Sequence, residues 1–144
     1  MTPKLDLTVQ YAINARGLPS RARLRRWARA ALERDARVTV RIVGAGEARA
    51  LNRNFRGKDR PTNVLTFIMR SRPHLEGDIA LCAPVIRREA RARHKSAAAH
   101  YAHLVVHGVL HLQGYDHETA REARLMERRE SRVVERLGFA DPHG

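Results

Sequence analysis

Hydrophobic and polar residues alternate along two segments of the N-terminal half, residues 5–11 and residues 38–42. Alternation with a period of two is typical of a strand that buries one face. Two further segments, residues 63–68 and 78–82, are rich in apolar and β-branched side chains, and a loop containing Pro73 separates them. The pattern therefore predicts four strands.

Elsewhere the apolar residues recur at helical spacing. The predicted helices follow the N-cap residue Ser20, span residues 47–55, 85–94 and 96–113, and run from about residue 118 to Gly138. We therefore expect an α/β (α+β) fold. In this fold, residues 1–144 form a single compact domain with a small mixed four-stranded sheet packed with about five helices.

The chain is strongly basic. It has 28 Lys and Arg residues against 15 Asp and Glu residues, which gives a net charge of +13. Such a surface attracts polyanions and favours their binding through counterion release. We therefore expect a nucleic-acid partner, and the alternative is a solvated basic face.

The sequence argues against a membrane or secreted protein. No apolar run reaches the roughly 18–20 residues of a membrane span. The N-terminus lacks the pattern of a secretory signal, and the single cysteine, Cys82, excludes an internal disulfide. These features predict a cytoplasmic protein with no membrane partner.

The clearest chemical signal is a group of histidines around a glycine. His107 and His111 lie four positions apart in a predicted helix, so their rings project from one face. Gly114 can end the helix and turn the chain, which returns His117 to the same side. Three imidazoles leave a fourth coordination position open, as in catalytic zinc sites. We therefore predict one zinc ion per chain, bound by His107, His111 and His117 and activating a water molecule.

Metzincin proteases share this histidine spacing but have Glu directly after the first histidine as the general base. Here that position is Gly108, which has no side chain. The missing base argues against a zinc peptidase, which is the less favoured of the enzyme alternatives.

A second segment with candidate chemistry precedes the third predicted strand. Arg56 and Lys58 flank Gly57 in a basic loop that could bind a phosphate. From the residues alone, a solvated loop is an equally good interpretation. Asp116, next to His117, either orients that histidine or caps the turn.

In several stretches the chain resembles the YbeY family of bacterial metal-dependent endoribonucleases. These stretches are residues 51–52, 55–59, 61–67, 77–79 and 106–117, and the histidine block is the most specific of them. The resemblance implies a mixed α/β fold with a small sheet. It also implies that His107, His111 and His117 bind zinc and that Arg56 faces the metal and binds the scissile phosphate.

By the same resemblance, the expected function is cleavage of single-stranded RNA in the maturation of 16S ribosomal RNA at its 3′ end and in ribosome quality control. The expected partners are ribosomal RNA, small ribosomal subunit proteins and a ribosome-assembly GTPase. The residues leave open whether water or the ribose 2′-hydroxyl attacks the phosphorus. They also leave open a non-catalytic RNA-binding assembly factor in which the zinc is structural.

Overall fold

A mixed sheet lies at the centre of the fold. The computed structural model describes residues 2–144, which form four strands and five helices. Along the chain these are β1 (Leu5–Tyr11), α1 (Arg21–Ala31), β2 (Ala36–Val43), α2 (Ala45–Arg56), β3 (Val64–Arg70), β4 (Leu75–Cys82), α3 (Ala83–Ala92), α4 (Ala97–Leu112) and α5 (Ala120–Arg136). The predicted fold class is confirmed.

The strand order is β1-β2-β4-β3. β1, β2 and β4 run parallel, and β3 pairs antiparallel with β4 at the edge of the sheet. Both β2 and β4 begin earlier than the sequence pattern predicts. The reason is that Ala36 pairs with Leu75 across the sheet, and both side chains are buried.

Helix α4 packs closely against β4. A Cβ atom added to Gly108 of α4 would lie 2.9 Å from Cδ1 of Ile79, and one added to Gly77 of β4 would lie 2.6 Å from Cδ2 of Leu112. Both distances are too short for a real side chain, so the two glycines are what allow this approach. The helix that carries His107 and His111 is thereby held directly on the sheet.

Helices α1 and α5 contact α4, whereas α2 contacts β4 and α3. Trp27 of α1 is buried and packs edge-on against Phe139, with 6.2 Å between the ring centroids. Thr119 and Glu122 form a capping box that starts α5 at Ala120, slightly later than the sequence predicts. None of the helices within residues 2–144 is both long and apolar enough to cross a membrane.

The close approach of α4 to β4 makes the effect of a methyl group predictable. Gly108→Ala should lower the free energy of unfolding by up to about 2 kcal/mol, since overpacking costs roughly 1–3 kcal/mol and the better helix propensity of alanine returns about 1 kcal/mol. Gly46→Ala in α2 is the matched control, because a Cβ there meets no atom within 4 Å. Urea unfolding measures both variants. Equal stability of the two variants would contradict the packing described for α4.

Candidate metal centre and phosphate-binding loop

His107, His111 and His117 come together at the C-terminal end of α4. Their ring centroids form a nearly equilateral triangle, with 6.4 Å between His107 and His111, 5.9 Å between His107 and His117 and 6.2 Å between His111 and His117. Gly114, with a φ of 107°, follows the helix and allows the chain to turn back. The three predicted ligands are therefore neighbours, but their ligand atoms do not all lie within 4.8 Å of one another, and their binding of a metal stays a prediction.

A buried carboxylate supports His107. Glu130 of α5 is 3% exposed at its side chain, and its Oε2 atom lies 2.6 Å from Nδ1 of His107. Its other oxygen, Oε1, lies 2.8 Å from Nε2 of His103 and 2.7 Å from Nε2 of His143. Burial would raise the pKa of Glu130, but the hydrogen bonds from His103, His107 and His143 outweigh it and lower that pKa strongly.

The ionised state of Glu130 determines where the protons lie. A carboxylate only accepts hydrogen bonds, so Nδ1 of His107 must carry a proton and donate it. Nε2 of a neutral His107 is then left with a lone pair, which is the form that binds a metal. The same reasoning makes Nε2 of His103 and Nε2 of His143 donors to Glu130.

His111 is held in the neutral form. Burial lowers its pKa first, and the neighbouring His107, His117 and Arg56 lower it further, against the opposing effect of Asp116. Its Nδ1 atom is buried and has no hydrogen-bond partner within residues 2–144. Nδ1 of His100 and Nδ1 of His103 are likewise buried without a partner in this range, so it is the neutral form of His111 that suits zinc binding.

A second group of donor atoms lies beside the three histidines. The ligand atoms of His103, Glu130 and His143 are all within 4.8 Å of one another, close enough to hold a metal ion. Among the donors of residues 2–144, no other group of three is this close. A cleft of about 290 Å³ joins the two groups, since His103, His107, His117 and Glu130 all line it.

Arg56 is the last residue of α2 rather than a loop residue as the sequence predicts, and the loop that follows it is anchored at several points. Gly57, with a φ of 71°, ends α2, and the buried side chain of Asn52 donates from Nδ2 to the carbonyl oxygen of Arg60 at 2.8 Å. Asp59 accepts two hydrogen bonds from Arg49, at 2.8 and 2.9 Å. These contacts hold the loop against the end of α2.

Arg56 itself lies over the exposed edge strand β3. Its Nη2 atom donates to the carbonyl oxygen of Thr66 at 3.0 Å, and its guanidinium carbon lies 6.0 Å from the centroid of the Phe67 ring. Its charge is close enough to His111 to contribute to the lowered pKa of that histidine. The fold therefore brings Arg56 and the histidine triangle, which are about fifty positions apart in the sequence, to the same edge strand, because Val64 of β3 lines the cleft with His107 and His117.

Lys58, Asp116 and Gly108 are the other positions that the sequence analysis singles out. Lys58 is exposed in the anchored loop, where its backbone N–H donates to the carbonyl oxygen of Asn52. Asp116 accepts a hydrogen bond from the backbone N–H of His117 at 2.8 Å and so shapes the turn. Gly108 faces Ile79 of the sheet, so a glutamate at this position would clash with the core before reaching the histidines.

The sequence pattern did not single out Glu130, His103 or His143 as site residues. Glu130 is 23 positions from His107, and His143 follows the last helix. Within α5, however, Glu130 shares a helical face with Met126 and Val133, both of which are buried. A charged residue on an apolar face was the signal that could have identified Glu130.

Comparison with known proteins agrees with this geometry. The family model for Endoribonuclease YbeY matches residues 15–138. An Endoribonuclease YbeY from Thiobacillus denitrificans is 54% identical and covers 99% of this chain and 99% of its own length. Another, from Nitrosomonas eutropha, is 52% identical and covers 95% of this chain and 97% of its own length.

A solved structure extends the comparison to the fold. The solution structure of a Thermotoga maritima protein has a TM-score of 0.64 and 28% sequence identity, over 97% of this chain and 99% of that one. The family match therefore spans the histidine triangle, Glu130 and the Arg56 loop. On these grounds the chain belongs to the Endoribonuclease YbeY family.

Proposed function

We propose that residues 1–144 form a zinc-dependent endoribonuclease domain that cleaves single-stranded RNA in ribosomal RNA maturation. The family is one of endoribonucleases, so the chain is a nuclease hydrolase. The observation that carries the finer proposal is the triangle of His107, His111 and His117, with Arg56 nearby. The positive charge of the chain, +13, suits a polyanionic substrate.

The proposed zinc ligands are His107, His111 and His117 rather than His103, Glu130 and His143. In the second group the histidine nitrogens nearest Glu130 already donate hydrogen bonds to it, and a metal ion would have to displace those protons. In the triangle, Glu130 instead accepts a hydrogen bond from Nδ1 of His107, which keeps the proton on that nitrogen and leaves Nε2 free. This carboxylate–histidine pairing is characteristic of zinc sites and makes Glu130 a positioning residue.

The proposed site residues have different roles in phosphodiester cleavage. Zinc bound by the three histidines would supply a hydroxide nucleophile near neutral pH and polarise a phosphoryl oxygen. Arg56 would bind the scissile phosphate and stabilise the charge added in the transition state, because its guanidinium is fixed by Thr66. Lys58 is proposed to add positive charge at the rim, and Asp116 to orient His117.

Two alternatives are weaker. A non-catalytic RNA-binding factor would need a fourth protein ligand to close the zinc site, and the triangle offers three. A zinc peptidase would need an acid at position 108, where Gly108 faces the sheet. Five finer expectations stay predictions of the family resemblance. They are action at the 3′ end of 16S rRNA, ribosome quality control, a cytoplasmic location, small-subunit proteins as partners and an assembly GTPase as a partner.

The metal assignment can be tested by elemental analysis of protein purified without chelator. We expect about one zinc per chain, retained in His143→Ala and lost in His111→Ala, because only His111 is a proposed ligand. Circular dichroism checks that both variants keep the fold. The reverse pattern, with zinc lost from His143→Ala and kept by His111→Ala, would move the metal to the second group.

The role of Glu130 can be tested separately from that of the ligands. Glu130→Gln keeps the shape of the side chain but removes the charge that orients His107, so zinc affinity should fall about 10–100-fold in competition with a chromogenic chelator. Glu135→Gln, at an exposed position of the same helix, is the control and should bind zinc as the unmodified protein does. Unchanged affinity in Glu130→Gln would reduce Glu130 to a purely structural residue.

Arg56→Ala should lower RNA cleavage by a factor on the order of 10²–10³, the range for the loss of one strong transition-state contact. Zinc content should be unchanged, because Arg56 is not a ligand. Arg56→Lys should restore only part of the rate, since an ammonium group lacks the bidentate fork. Arg26→Ala, at an exposed position of α1, controls for the loss of one positive charge. Cleavage of single-stranded RNA by Arg56→Ala at the unmodified rate would refute the proposed role.

A further inference from the structure

The face of the sheet opposite α4 is only partly covered by α2. Thr39, Asp78 and Phe67 are register neighbours across β2, β4 and β3. They point away from α4, because the adjacent Ile79 faces Gly108 and side chains alternate along a strand. A pocket of about 280 Å³ opens over this row and is bordered by Phe55 of α2.

The walls of this pocket are aromatic and unusually exposed. The rings of Phe55 and Phe67 meet edge to face, with 5.3 Å between their centroids. Phe55 and Met69 are each 64% exposed, whereas most large apolar side chains of the fold are buried. Exposed apolar side chains grouped around a pocket mark a binding surface.

The floor of the pocket contains an acceptor without a donor. The Asp78 carboxylate receives no hydrogen bond from any residue in the range 2–144, although it is half-buried. Burial raises the pKa of Asp78, and the neighbouring Glu76 raises it further. A ligand that donates a hydrogen bond to Asp78 would therefore bind favourably.

Arg56 connects this pocket to the histidine triangle. Its guanidinium lies 6.0 Å from the centroid of the Phe67 ring, which lines the pocket, and it is the group proposed to bind the scissile phosphate. Lys58 and Arg60 follow in the same loop, and neither forms an ion pair with another residue of the range 2–144. The basic loop thus follows the helix end next to the pocket, and the pocket itself is lined by the two aromatic rings, the paired Arg41 and Glu47, and the Asp78 carboxylate, which has no donor among residues 2–144.

We propose that this pocket is a base-binding subsite, in which an unpaired nucleobase of the RNA stacks on Phe55 and Phe67 and donates a hydrogen bond from its exocyclic amine to Asp78. The inference rests on the proposed function, because the phosphates on either side of this base lie along the basic loop that leads to Arg56. A nucleobase combines a flat apolar face with hydrogen-bond donors at its edge, which matches the pocket. Cytosine offers such an amine and uracil does not.

A protein partner fits the pocket less well. An apolar side chain inserted between Phe55 and Met69 would bury the Asp78 carboxylate without a donor, and an unpaired buried charge is costly. The net charge of +13 also favours a polyanion over an average protein surface.

Fluorescence anisotropy with zinc-loaded protein and 2′-O-methyl RNA decamers tests the subsite. We use oligocytidine, oligouridine and an abasic decamer of the same length. The unmodified protein should bind oligocytidine about tenfold more tightly than oligouridine, and the abasic decamer most weakly. Asp78→Ala removes the acceptor and should remove the preference for cytidine. Phe55→Leu should weaken oligocytidine binding about tenfold and leave abasic binding unchanged.

Ile68→Ala is the matched control and should bind the decamers as the unmodified protein does. Ile68 is exposed on β3, as Phe67 is, but it pairs with Gly77 and lies on the face towards α4. Phe55 is exposed, so Phe55→Leu should fold normally, and circular dichroism and zinc content verify this. Equal binding of oligocytidine and the abasic decamer, or unchanged oligocytidine binding in Phe55→Leu, would overturn the subsite. If RNA cleavage still depends on Arg56 in that case, the proposed function survives and only the subsite fails.

Discussion

Two glycines on facing elements let helix α4 lie closer to strand β4 than side chains would allow. Gly108 makes room for Ile79, and Gly77 makes room for Leu112. Since α4 carries two of the three histidines and β4 pairs with β3, this contact sets the distance between the histidine triangle and Arg56. The rest of the site depends on it, because two rigid elements fix the relative positions of side chains better than loops do.

A second constraint comes from Glu130. It is a nearly inaccessible carboxylate that accepts hydrogen bonds from α4 and from the C-terminal segment. Removal of this charge from water is costly, and the histidine donors offset the cost. The same contacts fix the proton on Nδ1 of His107, so one residue both joins α5 to α4 and orients a proposed metal ligand.

The edge strand β3 separates two surfaces of different chemistry. On the side of α4, the histidines and Glu130 line a polar cleft, and on the opposite side Phe55 and Phe67 border an apolar pocket. Arg56 lies at the boundary, since its guanidinium contacts the backbone of β3 and lies close to the Phe67 ring. A single strand of RNA that crosses this edge would place phosphate on the polar side and a base on the apolar side.

Local patterns in the sequence determined the element types and the histidine triangle. Side chains four apart on a helix, followed by a glycine turn, meet through local geometry alone. The proximity of His107, His111 and His117 was therefore predictable from the sequence. Long-range packing decided the strand order, the early starts of β2 and β4, and the position of Arg56 over β3. It also decided the partners of Glu130. These features depend on which elements pack together, and the periodicity of a single segment carries no information about its neighbours.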